Sequence, residues 1–139
     1  MDIAQSEIAC SAFTAKLENG DEIFARNYDF TKTNTAIVHT NPKGRYSSIS
    51  TIDLQFLGID PDSNLDSLES KAKALTDPYV PLDGINEKGL SVAIFITYQG
   101  GGTPTNQQTE KIDITSTTMI RLMLDYASSV DEAVNLVSK

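Results

Sequence analysis

The chain has 139 residues, 40% of them hydrophobic and 22% charged, the length and make-up of one soluble domain able to bury a core. Its 11 basic and 19 acidic residues leave a net charge of −8, and the basic residues come together at most in pairs such as Lys71 and Lys73, which argues against nucleic acid as a partner. No apolar run approaches the ~18 residues that a membrane span needs, so no membrane segment is expected.

The start, MDIAQSEIA, lacks the positive end and long apolar stretch of a signal peptide. That predicts a cytoplasmic protein if this start is native, and an exported or surface-anchored one if a leader was trimmed. The single cysteine, Cys10, rules out an internal disulfide and suits a reducing compartment or a reactive thiol.

Residues 8–17 and 22–30 are rich in β-formers and flank Asn19-Gly20, a strong hairpin signal. The register decides the chemistry. A two-residue turn places Cys10 opposite Asp29, with Cβ atoms ~5 Å apart. A three-residue loop ending in a glycine bulge instead brings Arg26 onto the Cys10 face, diagonal to it. Both registers remain open from sequence.

Residues 36–40 and 47–57 read as two further strands around the turn Asn41-Pro42-Lys43-Gly44. In the second, Ser50, Ile52, Leu54 and Phe56 alternate with Ile49, Thr51 and Asp53, so one face is expected to be covered. The acidic stretch 58–77 could hold a short helix over 65–75, ended by Pro78 and Pro81. Asp83-Gly84 reads as a turn leading into residues 85–90, and 90–98 as the most apolar, central strand. Residues 99–108 read as a flexible loop. A helix is predicted over 116–127 on the spacing of Met119, Ile120, Met123, Leu124 and Ala127. Ser129 to Glu132 fits a capping box for a second helix, with Ala133, Val134 and Val137 as its buried stripe. Strands first and helices after give an α+β class with helices on a sheet face. The last helix runs to Lys139 without a glycine cap, which predicts a chain that stops inside its domain.

Cys10 on its own is most simply a small buried hydrophobe. A nucleophilic thiolate needs a partner, and Arg26 could supply the cation. A dyad with the sole histidine, His39, is the weaker option, since a histidine in the run AIVHTN is most simply a strand residue. Asp60 to Asp66 resembles the start of a calcium loop but has Leu65 in place of the required glycine and Lys71 in place of the final glutamate. Gly100-Gly101-Gly102 lacks the lysine and hydroxyl that complete a phosphate loop.

Taken together, CSAFTAKLENGDEIFARNYDF and PLDGINEKGLSVAIF resemble the choloylglycine hydrolase family of linear amide C–N hydrolases, which includes bile salt hydrolases and penicillin V acylases. The resemblance covers the N-terminal half of a typical member. It implies an N-terminal nucleophile hydrolase with an αββα sandwich, here partial. It divides the chain into residues 1–9, a propeptide or leader remnant, and 10–139, the N-terminal portion of a hydrolase domain.

By that resemblance Cys10 becomes the first residue once 1–9 are removed, and supplies both nucleophile and base. A free α-amino group titrates near pH ~8 and can take the thiol's proton. Asp29 matches the aspartate that orients the amine, and Arg26 the arginine beside the sulfur. Ile96 falls where the family uses a backbone N–H for the oxyanion hole, a position usually asparagine in bile salt hydrolases and aromatic in penicillin acylases. The implied reaction is hydrolysis of a linear amide through a thioester, with no cofactor and no metal. The implied partners are a small-molecule amide and either a second copy or the missing C-terminal portion, without which the piece is expected to be inactive. The alternatives are a related acyltransferase and a non-catalytic binding or structural fragment.

Overall fold

The computed structural model describes residues 9–29, 33–60, 62–63, 65–95 and 114–138. The chain divides into two compact units, residues 1–31 with 95–114 and residues 32–94 with 115–139.

The first unit is built on an antiparallel hairpin of β1 (Ala9–Lys16) and β2 (Glu22–Asp29). Its loop has three residues. Leu17 donates its N–H to the Asp21 carbonyl at 2.7 Å, and Gly20 donates back to Leu17 at 3.0 Å. Gly20 sits at φ 90°, in the left-handed region open to glycine. The Asn19 side chain accepts the Asp21 N–H at 3.1 Å and donates to the Asp21 carboxylate at 2.7 Å, which fixes the loop locally. These bonds select the bulged register of the two read from sequence, so Cys10 faces Tyr28 and not Asp29.

The second unit holds a four-stranded antiparallel sheet in the order β3 (Thr35–Thr40), β4 (Ser48–Asp53), β5 (Asp83–Asn86), β6 (Ser91–Ala93). The Asn41–Gly44 turn forms as expected, with Gly44 at φ 76°. The strand expected over 47–57 is shorter, because the Asp53 carboxylate accepts the Gln55 N–H at 3.0 Å and starts the 3-10 helix Leu54–Leu57. That helix breaks the alternation, so Phe56 is 58% exposed although Ser50, Ile52 and Leu54 are buried. The helix read over 65–75 is present as α1 (Leu68–Ala74), capped by the Ser67 hydroxyl.

Asp83-Gly84 is not a turn but the start of β5; the reversal comes later, at Gly89 with φ 84°. Nor is the 90–98 stretch a central strand: β6 pairs only with β5 and is an edge of the described sheet. Its apolar character has another cause. Leu90 is buried with Ala127 and Ala133, and Val92 packs against that cluster. The loop expected over 99–108 lies outside the described residues.

The predicted long helix is α2 (Ser116–Tyr126), which packs against β5 and β6, with Ile120 and Leu124 fully buried. Next comes α3 (Val130–Val137), capped by the Ser129 hydroxyl on the Glu132 N–H at 3.3 Å. The returning Glu132 carboxylate binds the N–H and hydroxyl of Ser128, each at 2.7 Å, and these bonds hold its pKa below the usual carboxylate value. Only Ala133 of the expected stripe is buried; Val134 and Val137 are exposed, because the helix docks through the Ala133 side onto Ala127.

The sheet has two unlike faces. Ser48, Ser50 and Ile52 lie under the helices and are buried. Ile37, Ile49 and Ile85 point the other way and are 77%, 51% and 46% exposed. The result is α+β, with antiparallel sheets and helices on one face of the larger sheet, as the order of elements predicts. Among the described residues no helix is long and apolar enough to cross a membrane.

Candidate active site

The hairpin assembles three of the sequence-predicted residues. Successive residues of a strand point to opposite faces, so Cys10 shares a face with Tyr28, Ala12 and Arg26. Counting back from the hydrogen-bonded Leu17–Asp21 pair, Cys10–Tyr28 falls at a non-hydrogen-bonded position, where facing side chains approach most closely. Arg26 is one diagonal step away. Cys10, Phe24, Arg26 and Tyr28 are all partly buried, whereas Ser11, Asn27 and Asp29 on the opposite face are exposed.

The Arg26 guanidinium carbon lies 5.1 Å from the centre of the Tyr28 ring and 5.7 Å from that of Phe95, a residue of the same unit. Both distances are within cation–π range. Asp29 stands across the ladder from Ala9, next to the Ala9–Cys10 bond. Asn27 orients it, donating to its two carboxylate oxygens at 3.0 and 3.3 Å while accepting the Ser11 N–H at 2.9 Å. A thiol, a guanidinium and an oriented carboxylate thus share one hairpin, with sulfur and cation on one face and the carboxylate on the other.

Sequence reading missed Asn27, Tyr28 and Phe95. The first two lie inside the Arg-Asn-Tyr-Asp motif and follow from its alternation once the register is known. Phe95 carries no local signal, since tertiary structure alone brings it to Arg26. Ile96 lies outside the described residues. His39 is an exposed strand residue in the second unit, opposite Ile49 on the uncovered sheet face. Asp60 accepts the Asp62 N–H at 2.9 Å in an ordinary turn, and no cluster able to hold a metal occurs among the described residues.

The second recognised block, Asp83 to Leu90, turns out to fasten helix to sheet. Buried Asn86 donates to the Leu124 and Ala127 carbonyls at 3.0 and 2.8 Å, closing the C-terminus of α2. Its oxygen accepts the N–H groups of Lys88 and Leu90 at 3.0 and 3.1 Å, shaping the turn. Gly84 lets the helix approach: a Cβ there would lie 2.8 Å from both the Ile49 oxygen and Leu124 Cδ1. The Thr51 hydroxyl donates to Asp83.

The same unit contains a buried ion network that the sequence did not reveal. Asp125 pairs with Arg121 one turn earlier in α2 and accepts from Arg45 at 3.0 Å, which raises the Arg45 pKa further above its usual value. Arg121 also donates to Ser48 at 2.8 Å and Thr40 at 3.2 Å, tying α2 to β3 and β4.

The family model for linear amide C–N hydrolases of the choloylglycine hydrolase family matches residues 10–139. No curated protein and no solved structure matches this chain.

Proposed function

Because the chain belongs to the choloylglycine hydrolase family of linear amide C–N hydrolases, we propose that it is an amidase whose nucleophile is the thiol of Cys10. The observation that carries this reading is that the family match begins at Cys10, the only cysteine in the sequence, and leaves residues 1–9 outside it. Removal of those residues frees the Cys10 α-amine. The amine takes the thiol proton as sulfur attacks the amide carbonyl, and passes it to the departing amine as the C–N bond breaks. A thioester remains. Water, deprotonated by the same α-amine, attacks it, releases the carboxylic acid and restores the thiol.

Asp29 faces the residue whose loss exposes the amine, which suits a carboxylate that holds and orients that amine. Arg26 lies on the sulfur's face, where a cation favours the thiolate and meets substrate oxygen. The backbone N–H of Ile96 is the oxyanion donor by family resemblance; such donors contribute about 3–4 kcal/mol to the transition state. The bare isoleucine face of the larger sheet fits the inner layer of an αββα sandwich, which a second sheet would cover.

The test is acyl transfer to the protein from an activated acyl ester, read by intact mass. The expected product is a hydroxylamine-labile adduct on a species beginning at Cys10, absent from Cys10→Ala. An adduct that persists in Cys10→Ala, or one found only on chains retaining Met1, overturns the assignment.

A further inference from the structure

The two faces of the hairpin differ in charge. Alternation along its strands sends Lys16, Glu22 and Arg26 to the face of Cys10 and leaves Asp29 as the only charged side chain of the two strands on the other. Asp29 pairs with Ala9, so loss of residues 1–9 creates the Cys10 α-amine at the same end of the ladder. Asp29 and Asn27 are both exposed, so packing does not fix the carboxylate. Hydrogen bonds do. The Asn27 amide nitrogen donates to both Asp29 oxygens at 3.0 and 3.3 Å, while the Asn27 oxygen accepts the Ser11 N–H at 2.9 Å. One side chain thereby ties Asp29 to the backbone of the residue that follows Cys10. The tie is a neutral amide, so the carboxylate keeps its charge for a cation.

We propose that Asn27 is a positioning residue for the Cys10 α-amine, acting through Asp29 by locking its carboxylate to the Ser11 N–H next to the bond whose cleavage creates the amine. The use of this lock rests on the reading of residues 1–9 as a removed segment, but the lock itself is present in the whole chain. A merely structural role for Asn27, such as stiffening the hairpin, makes a different prediction. Its loss would then be felt equally with and without the charge on Asp29.

Titration of the α-amine separates the two roles. A site-specific protease removes residues 1–9, leaving the chain from residue 10 to Lys139, which holds every described element apart from Ala9. Cys10→Ser is present throughout, so that no thiol titrates alongside the amine. The α-carbon NMR signal of residue 10 is followed against pH. Asp29→Asn is expected to lower the midpoint by about half a pH unit, the size for one unit charge at roughly 5 Å in water. Asn27→Ala is expected to lower it by roughly half as much, because the released carboxylate spends less time at the amine. Added to Asp29→Asn, Asn27→Ala is expected to change nothing further. All these side chains are exposed or half-buried, so the substitutions leave the hairpin folded. An Asn27→Ala shift of the same size with and without Asp29→Asn overturns the proposal. So does an unshifted midpoint in Asn27→Ala while Asp29→Asn lowers it, or an unshifted midpoint in Asp29→Asn, because the carboxylate is then not felt at the amine. No turnover is involved, so absence of an acyl-enzyme removes the amidase reading and leaves this one standing.

Discussion

Asn86 uses both amide hydrogens and its oxygen inside the protein, joining the end of α2 to the turn after β5. Replacing it with alanine strands two helix carbonyls and two turn N–H groups in a buried place. Asn86→Ala is therefore expected to cost about 2–4 kcal/mol, read from urea unfolding at constant slope. Asp77 shows the opposite balance. It is 9% exposed, one carboxylate oxygen has no hydrogen-bond partner, and burial raises its pKa above the ordinary 3.8. The folded state therefore binds the Asp77 proton more tightly than the unfolded state, so this residue's contribution falls as pH rises from about 3.8 through the folded value. Asp77→Asn is expected to raise the melting temperature at pH 7 by about 1–3 °C, with the gain vanishing below pH ~3.5. An equal gain at both pH values would rule out titration as the cause.

Among the elements, the contact between α2 and the sheet is the one set by a single missing side chain. The Cβ of Gly84→Ala would meet backbone oxygen and a fully buried leucine at 2.8 Å, so the helix must move away. The expected cost is about 2–3 kcal/mol, against well under 1 kcal/mol at an ordinary strand position, measured by thermal or urea unfolding. Helix α3 gives a contrasting pair. Ala133 is 5% exposed and Val134 57%, so Ala133→Leu is expected to destabilise by about 1–3 kcal/mol while Val134→Lys stays within about 0.5 kcal/mol. The sequence supports helix α3 and its cap through Ser129 and Glu132. It does not say which side of three valines and an alanine docks, because that depends on where Ala127 stands.

At the scale of the whole molecule, the larger sheet leaves Ile37, Ile49 and Ile85 exposed while its other face is closed by helices. Apolar side chains grouped on one sheet face are a binding surface for another layer or a cause of self-association. Replacing all three with threonine keeps β-branched residues in the strands and removes most of the apolar surface. The expected result is lower binding of a hydrophobic dye and lower sedimentation-detected association, with secondary structure by circular dichroism unchanged. Loss of the fold itself would mean that these side chains hold the sheet together.

What the sequence by itself determined was local: two strands about Asn-Gly, the Pro-Gly turn, the amphipathic α2, the capped α3, and a cysteine and arginine in a motif that names the family. These follow from propensity, periodicity and capping, which act within a few residues. Tertiary structure decided what depends on meeting a distant part of the chain. It made β6 an edge strand of the described sheet, with its apolar residues serving the helices. It put Gly84 in a strand beneath α2 and gave Asn86 two helix carbonyls to close. At the candidate site the division runs through the hairpin. Sequence placed Cys10, Arg26 and Asp29 on facing strands; the glycine bulge put Arg26 on the sulfur's face and Asp29 on the other. Phe95 reaches Arg26 only through the fold, because no spacing rule links residues so far apart in the chain.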